Sequence, residues 1–172
     1  MNIELVKGDI TKIDCDAIVN CGTAKIVIGG GAVSTAIFDA AGPGLMQECR
    51  RIMDDKKSLA IGEALVTGAY KLRCKKVIHT AGPIYLGGLW NEAANLGLCY
   101  SNALYAADEA LCESIAFPNI CAGSHTYPKK PAAEIAVSTV RDILPKLQSV
   151  KRVVFVCFED ENYVLYKELL DA

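Results

Sequence analysis

The sequence predicts an α/β fold, a mixed and largely parallel central sheet covered by helices on both faces. Two observations carry that expectation. Six short runs rich in Val, Ile and Leu, at 3–6, 15–20, 63–67, 76–80, 114–118 and 152–157, are each bounded by Gly, Lys, Asp or Pro, the composition and punctuation of strands. Between them, segments at 33–53, 91–111, 131–147 and 161–170 repeat apolar residues at helical spacing. Strands alternating with helices build a parallel sheet buried on both sides.

Taken in order, the runs at 3–6 and 15–20 lie close together, so a sheet of mixed direction is expected around a parallel centre. Pro131 suits the first turn of the helix over 131–147, where its missing N–H has no partner to lose. That helix is expected to run to about Leu144, with Pro145 helping to end it. No repeat, low-complexity tract or linker interrupts the pattern, and one domain is expected over residues 1–172. A chain of this size buries about 70% of its unfolded surface.

Hydrophobic residues make up 52% and charged residues 22% of the chain, values of a globular protein with one good core. Charge-free stretches stop short of the ~18 apolar residues of a membrane span, so no membrane association is expected. The start Met1-Asn2-Ile3-Glu4 lacks the basic and apolar regions of a secretory signal, and the expected compartment is the cytoplasm. Net charge is -2, and the clusters Lys56-Lys57 and Lys75-Lys76 are no longer than ordinary solvated faces. A surface tracking nucleic-acid phosphates is not indicated. Of the eight cysteines, no two are spaced C-x-x-C and most lie in apolar segments. Buried, reduced thiols are the reading, with a zinc site the lesser alternative, and neither metal nor cofactor is expected.

Three constellations can carry chemistry. The first, Val6-Lys7-Gly8-Asp9-Ile10-Thr11, ends a strand on a turn with one acid; an Asx-type turn accounts for the same residues. The second runs from Ala17-Ile18-Val19-Asn20 through Cys21-Gly22-Thr23-Ala24 to Gly29-Gly30-Gly31-Ala32-Val33 and a helix beginning near Ser34. Three glycines before a helix expose backbone N–H groups at its positive end, where an anion fits. It is neither a G-x-G-x-x-G fingerprint nor a P-loop, and a hinge or tight packing turn is the alternative.

The third, Phe117-Pro118-Asn119-Ile120-Cys121-Ala122-Gly123-Ser124-His125-Thr126-Tyr127-Pro128, ends a strand in small residues before re-entering a helix. Open α/β sheets bind ligands at such strand ends, and two loops of this kind suggest a diphosphate. His125 is a candidate proton-handling group, a packed or surface imidazole being the alternative. His79, within Val77-Ile78-His79-Thr80, reads as a hydrogen-bonded core residue.

Taken together and in order, these stretches resemble the macro domain family over essentially the whole chain. The resemblance rests on Gly8-Asp9-Ile10-Thr11, Asp16-Ala17-Ile18-Val19-Asn20, Gly29-Gly30-Gly31, Ala36-Ile37, Ala40-Ala41-Gly42-Pro43, Gly62-Glu63-Ala64, Val77-Ile78-His79-Thr80-Ala81-Gly82-Pro83 and Ala116-Phe117-Pro118. It implies a three-layer α/β/α sandwich and a ligand that is ADP-ribose (ADPR), free or attached to protein. It further implies that Asp9 accepts from the adenine amino group, that the Ile10 backbone reads the ring edge, and that Phe158 packs on the adenine face. Gly29, Gly30, Gly31, Ala32 and Val33 would wrap the distal ribose and one phosphate, and the backbone of Cys121, Ala122, Gly123, Ser124, His125 and Thr126 would cradle the diphosphate. Asn20, Thr23 and Ser34 fall at ligand-facing positions of the family pattern.

The chain departs from that pattern. Many hydrolases of the family carry Asn-Ala-Ala-Asn where this chain has Asn20-Cys21-Gly22-Thr23, and Val-Asp-Gly where it has Ala32-Val33-Ser34-Thr35. Hydrolysis at the ribose needs a positioned water and a group to take its proton, for which Thr23 and Ser34 are poor. Three readings stay open: a binder, a hydrolase in which a ligand phosphate positions the water, and a hydrolase using His125. Deacylation of O-acyl-ADP-ribose, binding of another nucleotide, and a fold whose pocket is plugged by Lys25-Ile26-Val27-Ile28 are further alternatives.

Overall fold

The computed structural model describes residues 2–26 and 30–172. In chain order the strands are β1 (Asn2–Lys7), β2 (Ala17–Gly22), β3 (Ala64–Gly68), β4 (Lys76–Ala81), β5 (Ser114–Phe117) and β6 (Arg152–Cys157). The helices are α1 (Ala32–Ala41), α2 (Pro43–Lys56), α3 (Glu92–Glu109), α4 (Lys129–Ile143) and α5 (Asp160–Asp171). One sheet of order β1-β6-β5-β2-β4-β3 results, parallel throughout except that β3 runs antiparallel to β4 at one edge. The expected mixed sheet with a parallel centre, in a three-layer α/β/α arrangement, is the fold observed.

Alternation along the strands divides the interior in two, because successive side chains point to opposite faces. In β6, Val153, Phe155 and Cys157 join the core under α3, α4 and α5. Val154 and Val156 join the one under α1 and α2, with Ile37, Phe38, Leu45 and Cys49. Asp16 ties the amino ends of β2, β5 and β4 together: its carboxylate accepts from the Glu113 N–H at 2.7 Å and pairs with Lys75 at 2.7 Å, while its own N–H donates to Ser114 Oγ.

Two expectations need correction. The segment 33–53 is two helices, not one, because Gly42 sits at φ +78° and Pro43, lacking an N–H, can only begin a helix. The second strand runs over 17–22 and not 15–20. Its ladder with β4 extends to Cys21 opposite Thr80 and Gly22 opposite Ala81, which places Cys21 at the strand's carboxyl tip. No described helix is long and apolar enough to cross a membrane.

Candidate functional site

A cleft of about 350 Å³ opens over the carboxyl ends of β1, β6, β5 and β2, the crevice where open α/β sheets take ligands. Gly8, Asp9 and Ile10 enter it after β1, Cys21 from the tip of β2, and Gly30 to Ser34 from the start of α1. Residues 118–119 and 121–125 border it after β5, and Phe158, Glu159 and Asn162 close it after β6. Neither Lys nor Arg is among the residues that line it.

At the β1 and β6 end, Asp9 caps a single 3-10 turn over Ile10–Lys12. Its Oδ1 accepts from the Thr11 N–H at 2.9 Å and the Thr11 hydroxyl at 2.7 Å. The Asx-type turn is therefore real, yet it occupies one carboxylate oxygen only. Phe158 follows the end of β6 and is 77% exposed, a ring on the cleft wall and not a core aromatic. Asn162, on the first turn of α5, is 5% exposed and its Oδ1 has no partner. Sequence reasoning missed this residue; an Asn four positions before the buried Tyr166, on the same helix face, was the available signal.

The two small-residue turns meet. Ser124 Oγ donates to the Gly30 carbonyl at 3.2 Å, and a Cβ on Gly31, which sits at φ +133°, would lie 3.1 Å from the same hydroxyl. Gly31 precedes α1 without a side-chain cap. Among the described residues, the N–H groups of Ala32, Val33 and Ser34 have no protein acceptor, as expected at an open helix start. Ser34 is 1% exposed, and its hydroxyl is also unpartnered.

The loop after β5 is held at both ends: the Ile120 N–H donates to Tyr100 Oη at 3.2 Å, and the Tyr85 N–H donates to the His125 carbonyl at 3.0 Å. Cys121 and Thr126 take left-handed φ of +62° and +58°, a cost of about 1–3 kcal/mol each that the surroundings must offset. Within the loop the Ala122 N–H donates to the Asn119 carbonyl and the Thr126 N–H to the Gly123 carbonyl. The N–H groups of Gly123, Ser124 and His125 have no acceptor among the described residues, whereas that of Cys121 faces Cys21 Sγ.

Several expected residues lie elsewhere. Asn20 is 1% exposed and turned into the core, where its Nδ2 donates to His79 Nδ1 at 3.1 Å. With Nδ1 accepting, the His79 proton sits on Nε2, which faces Thr67 Oγ1 at 2.9 Å; burial lowers the pKa of His79 to about 3. Thr23 is exposed and, like Thr126, does not line the cleft. Gly29, Val27 and Ile28 lie outside the described residues. Ile26, held at φ +47°, packs into the core with α1 and α2 and borders a separate hollow of about 440 Å³ against α2. It does not plug the cleft.

All eight cysteines are unpaired. Burial raises six thiols, Cys15 and Cys99 to about 12, Cys49, Cys74 and Cys157 to about 11, and Cys112 above its ordinary value, the behaviour of inert packing groups. Cys21 and Cys121 differ: their Sγ atoms are 4.0 Å apart, and Cys121 Sγ is 3.5 Å from His125 Nδ1. The hydrogen bond from Cys121 draws the Cys21 thiol below its ordinary range, while the same bond and burial push Cys121 up.

Comparison with known proteins agrees with this fold. Residues 19–136 match the model of the Macro domain family. A macro domain-containing protein of Listeria monocytogenes is 43% identical over 174 residues, covering 100% of this chain and 98% of its own. An O-acetyl-ADP-ribose deacetylase of Cronobacter sakazakii is 43% identical over 168 residues, 98% of this chain and 93% of its own. A mutant of the Oceanobacillus iheyensis macrodomain, solved with ADPR, superposes with TM-score 0.92 at 34% identity over 98% of this chain and 91% of its own.

Proposed function

The chain belongs to the macro domain family, and we propose that its cleft holds ADP-ribose or a derivative of it, free or attached to protein. One observation carries the reading: two sets of amide N–H groups without acceptors among the described residues, at the start of α1 and in the loop after β5, are tied together by the Ser124 to Gly30 bond. Oriented amides and a helix start supply positive potential without a cation, so an acidic protein can take a diphosphate. In this reading Asp9 accepts from the adenine amino group, Ile10 reads the ring edge and Phe158 stacks on its face. Asn162 offers its unpartnered carbonyl beside them. Gly30 to Ser34 wrap the distal ribose, and Gly123, Ser124 and His125 donate to the diphosphate. Titration calorimetry with ADP-ribose tests it; absence of heat at millimolar ligand eliminates the reading.

Deacylation of O-acetyl-ADP-ribose is a second reading, favoured by the likeness to the Cronobacter deacetylase and by the unpartnered Ser34 hydroxyl in the cleft. His125 is the candidate catalytic group. Incubating the protein with O-acetyl-ADP-ribose and with mono-ADP-ribosylated protein, beside His125→Ala, decides it: equal turnover in the variant removes His125 from the chemistry. Eight unpaired thiols suit a reducing compartment, and the cytoplasm is our reading of where the protein works.

A further inference from the structure

We propose that Cys21, Cys121 and His125 form a site for a thiophilic divalent cation, Zn2+ being the natural occupant, with one coordination position left open to the cleft. Three ligand atoms, the two Sγ and an imidazole nitrogen, lie within 4.8 Å of one another. Around a tetrahedral Zn2+, with about 2.3 Å to sulfur and about 2.1 Å to nitrogen, two sulfurs stand ~3.8 Å apart and a sulfur and a nitrogen ~3.6 Å apart. Two of the three observed separations are 4.0 and 3.5 Å, and the third, Cys21 Sγ to the imidazole, is within 4.8 Å, so binding has to draw that last pair together by no more than about 1 Å. Two cysteines and a histidine with a fourth open position form a donor set that suits zinc, whereas hard cations prefer oxygen.

The fold reserves the space. Gly82, directly after β4, sits where the three side chains converge: a Cβ there would lie 2.9 Å from Cys21 Sγ, 3.5 Å from His125 Nδ1 and closer still to Cys121 Sγ. The donors are also held in place from outside, Cys21 by the β2 ladder and the other two by the Tyr100 and Tyr85 bonds to their loop. Cys21, Cys121 and His125 all border the cleft, at the β2 end. That end is three strand spacings, about 14 Å, from β1 and Asp9. Binding converts both thiols to thiolates and releases two protons per cation; no electron is transferred.

The test uses the reduced full chain, freed of metal by chelation and titrated with Co2+ and then with Zn2+ against a chromophoric chelator. One Co2+ per chain is expected, with thiolate-to-cobalt charge-transfer absorption and the strong visible bands of a tetrahedral site, both displaced by Zn2+. Cys21→Ser and His125→Gln should each weaken binding by at least about tenfold at an unchanged melting temperature, whereas Cys49→Ser should not. Cys121 is varied last, because its strained backbone makes loop disruption a second route to loss. No uptake at micromolar free cation overturns the proposal, as does a cobalt spectrum unaltered by Cys21→Ser. Mass spectrometry showing only a Cys21–Cys121 disulfide after reduction and repurification would overturn it too. ADP-ribose calorimetry on the metal-free chain is a separate readout, so failure of the cation site and failure of the nucleotide reading are distinguishable.

Discussion

Asp9 shows how one side chain serves a turn and a cleft together. Its Oδ1 is spent on Thr11, which fixes the carboxylate's direction, and the remaining oxygen is free to accept from a ligand amine. Asp9→Ala is expected to weaken ADP-ribose binding by roughly 1.5–3 kcal/mol, the range of a hydrogen bond to a charged group; equal affinity for ADP-ribose and its inosine analogue would contradict that role. Phe158→Ala should cost about 1–3 kcal/mol if the ring stacks on a base, measured by the same calorimetry. His79 makes a pH prediction. Its folded value of about 3 lies below the ordinary 6.5, so between those values the unfolded chain binds a proton that the folded chain refuses. The stabilisation is complete above pH 6.5 and is lost progressively as pH falls toward 3. The melting temperature should therefore drop between pH 6.5 and 5, with a shallower slope in His79→Gln; equal slopes would show that another group titrates.

The segment from Gly82 to Asn91 shows how a connection without regular structure is organised by one acid at the next helix. Glu92, 2% exposed, opens α3 and accepts from the N–H groups of Leu86, Gly88 and Trp90 at 2.7–3.1 Å. Burial works against its charge, yet these donors and its own N–H outweigh that and hold its pKa below the usual range. Because the Tyr85 N–H also donates to the His125 carbonyl, this connection supports the cleft's far wall. Glu92→Ala should destabilise the fold by about 1–3 kcal/mol, the cost of stranded backbone donors. Denaturation would show it, together with faster hydrogen exchange at Leu86, Gly88 and Trp90; unchanged exchange would place the support elsewhere.

For the molecule as a whole, net charge is -2 and among the described residues neither Lys nor Arg lines the cleft, so on the proposed reading attraction for a diphosphate comes from fixed dipoles at close range. Such contacts are screened far less than those between mobile surface charges. Affinity for ADP-ribose should accordingly change by less than about threefold between 50 and 500 mM salt, as calorimetry at both salts would read. A steep salt slope would mean that cations outside the cleft supply the attraction.

Strand and helix identities were legible because they rest on local periodicity, and the turns at 8–9, 30–31 and 121–126 because runs of small residues between periodic segments have few uses. Helix break and strand register were less legible. Gly42-Pro43 splits a pattern that looks continuous to a hydropathy window, and the β2 ladder extends to Gly22 only because β4 lies beside it. Placement of Asn20 was decided by its buried partner His79, 59 residues away in sequence. Separation hid the thiol cluster most completely: Cys21 and Cys121 are 100 residues apart, and spacing rules for metal ligands register only neighbours. Composition and periodicity report on contacts within a few residues, whereas a site built where four strands end is a property of the sheet's order.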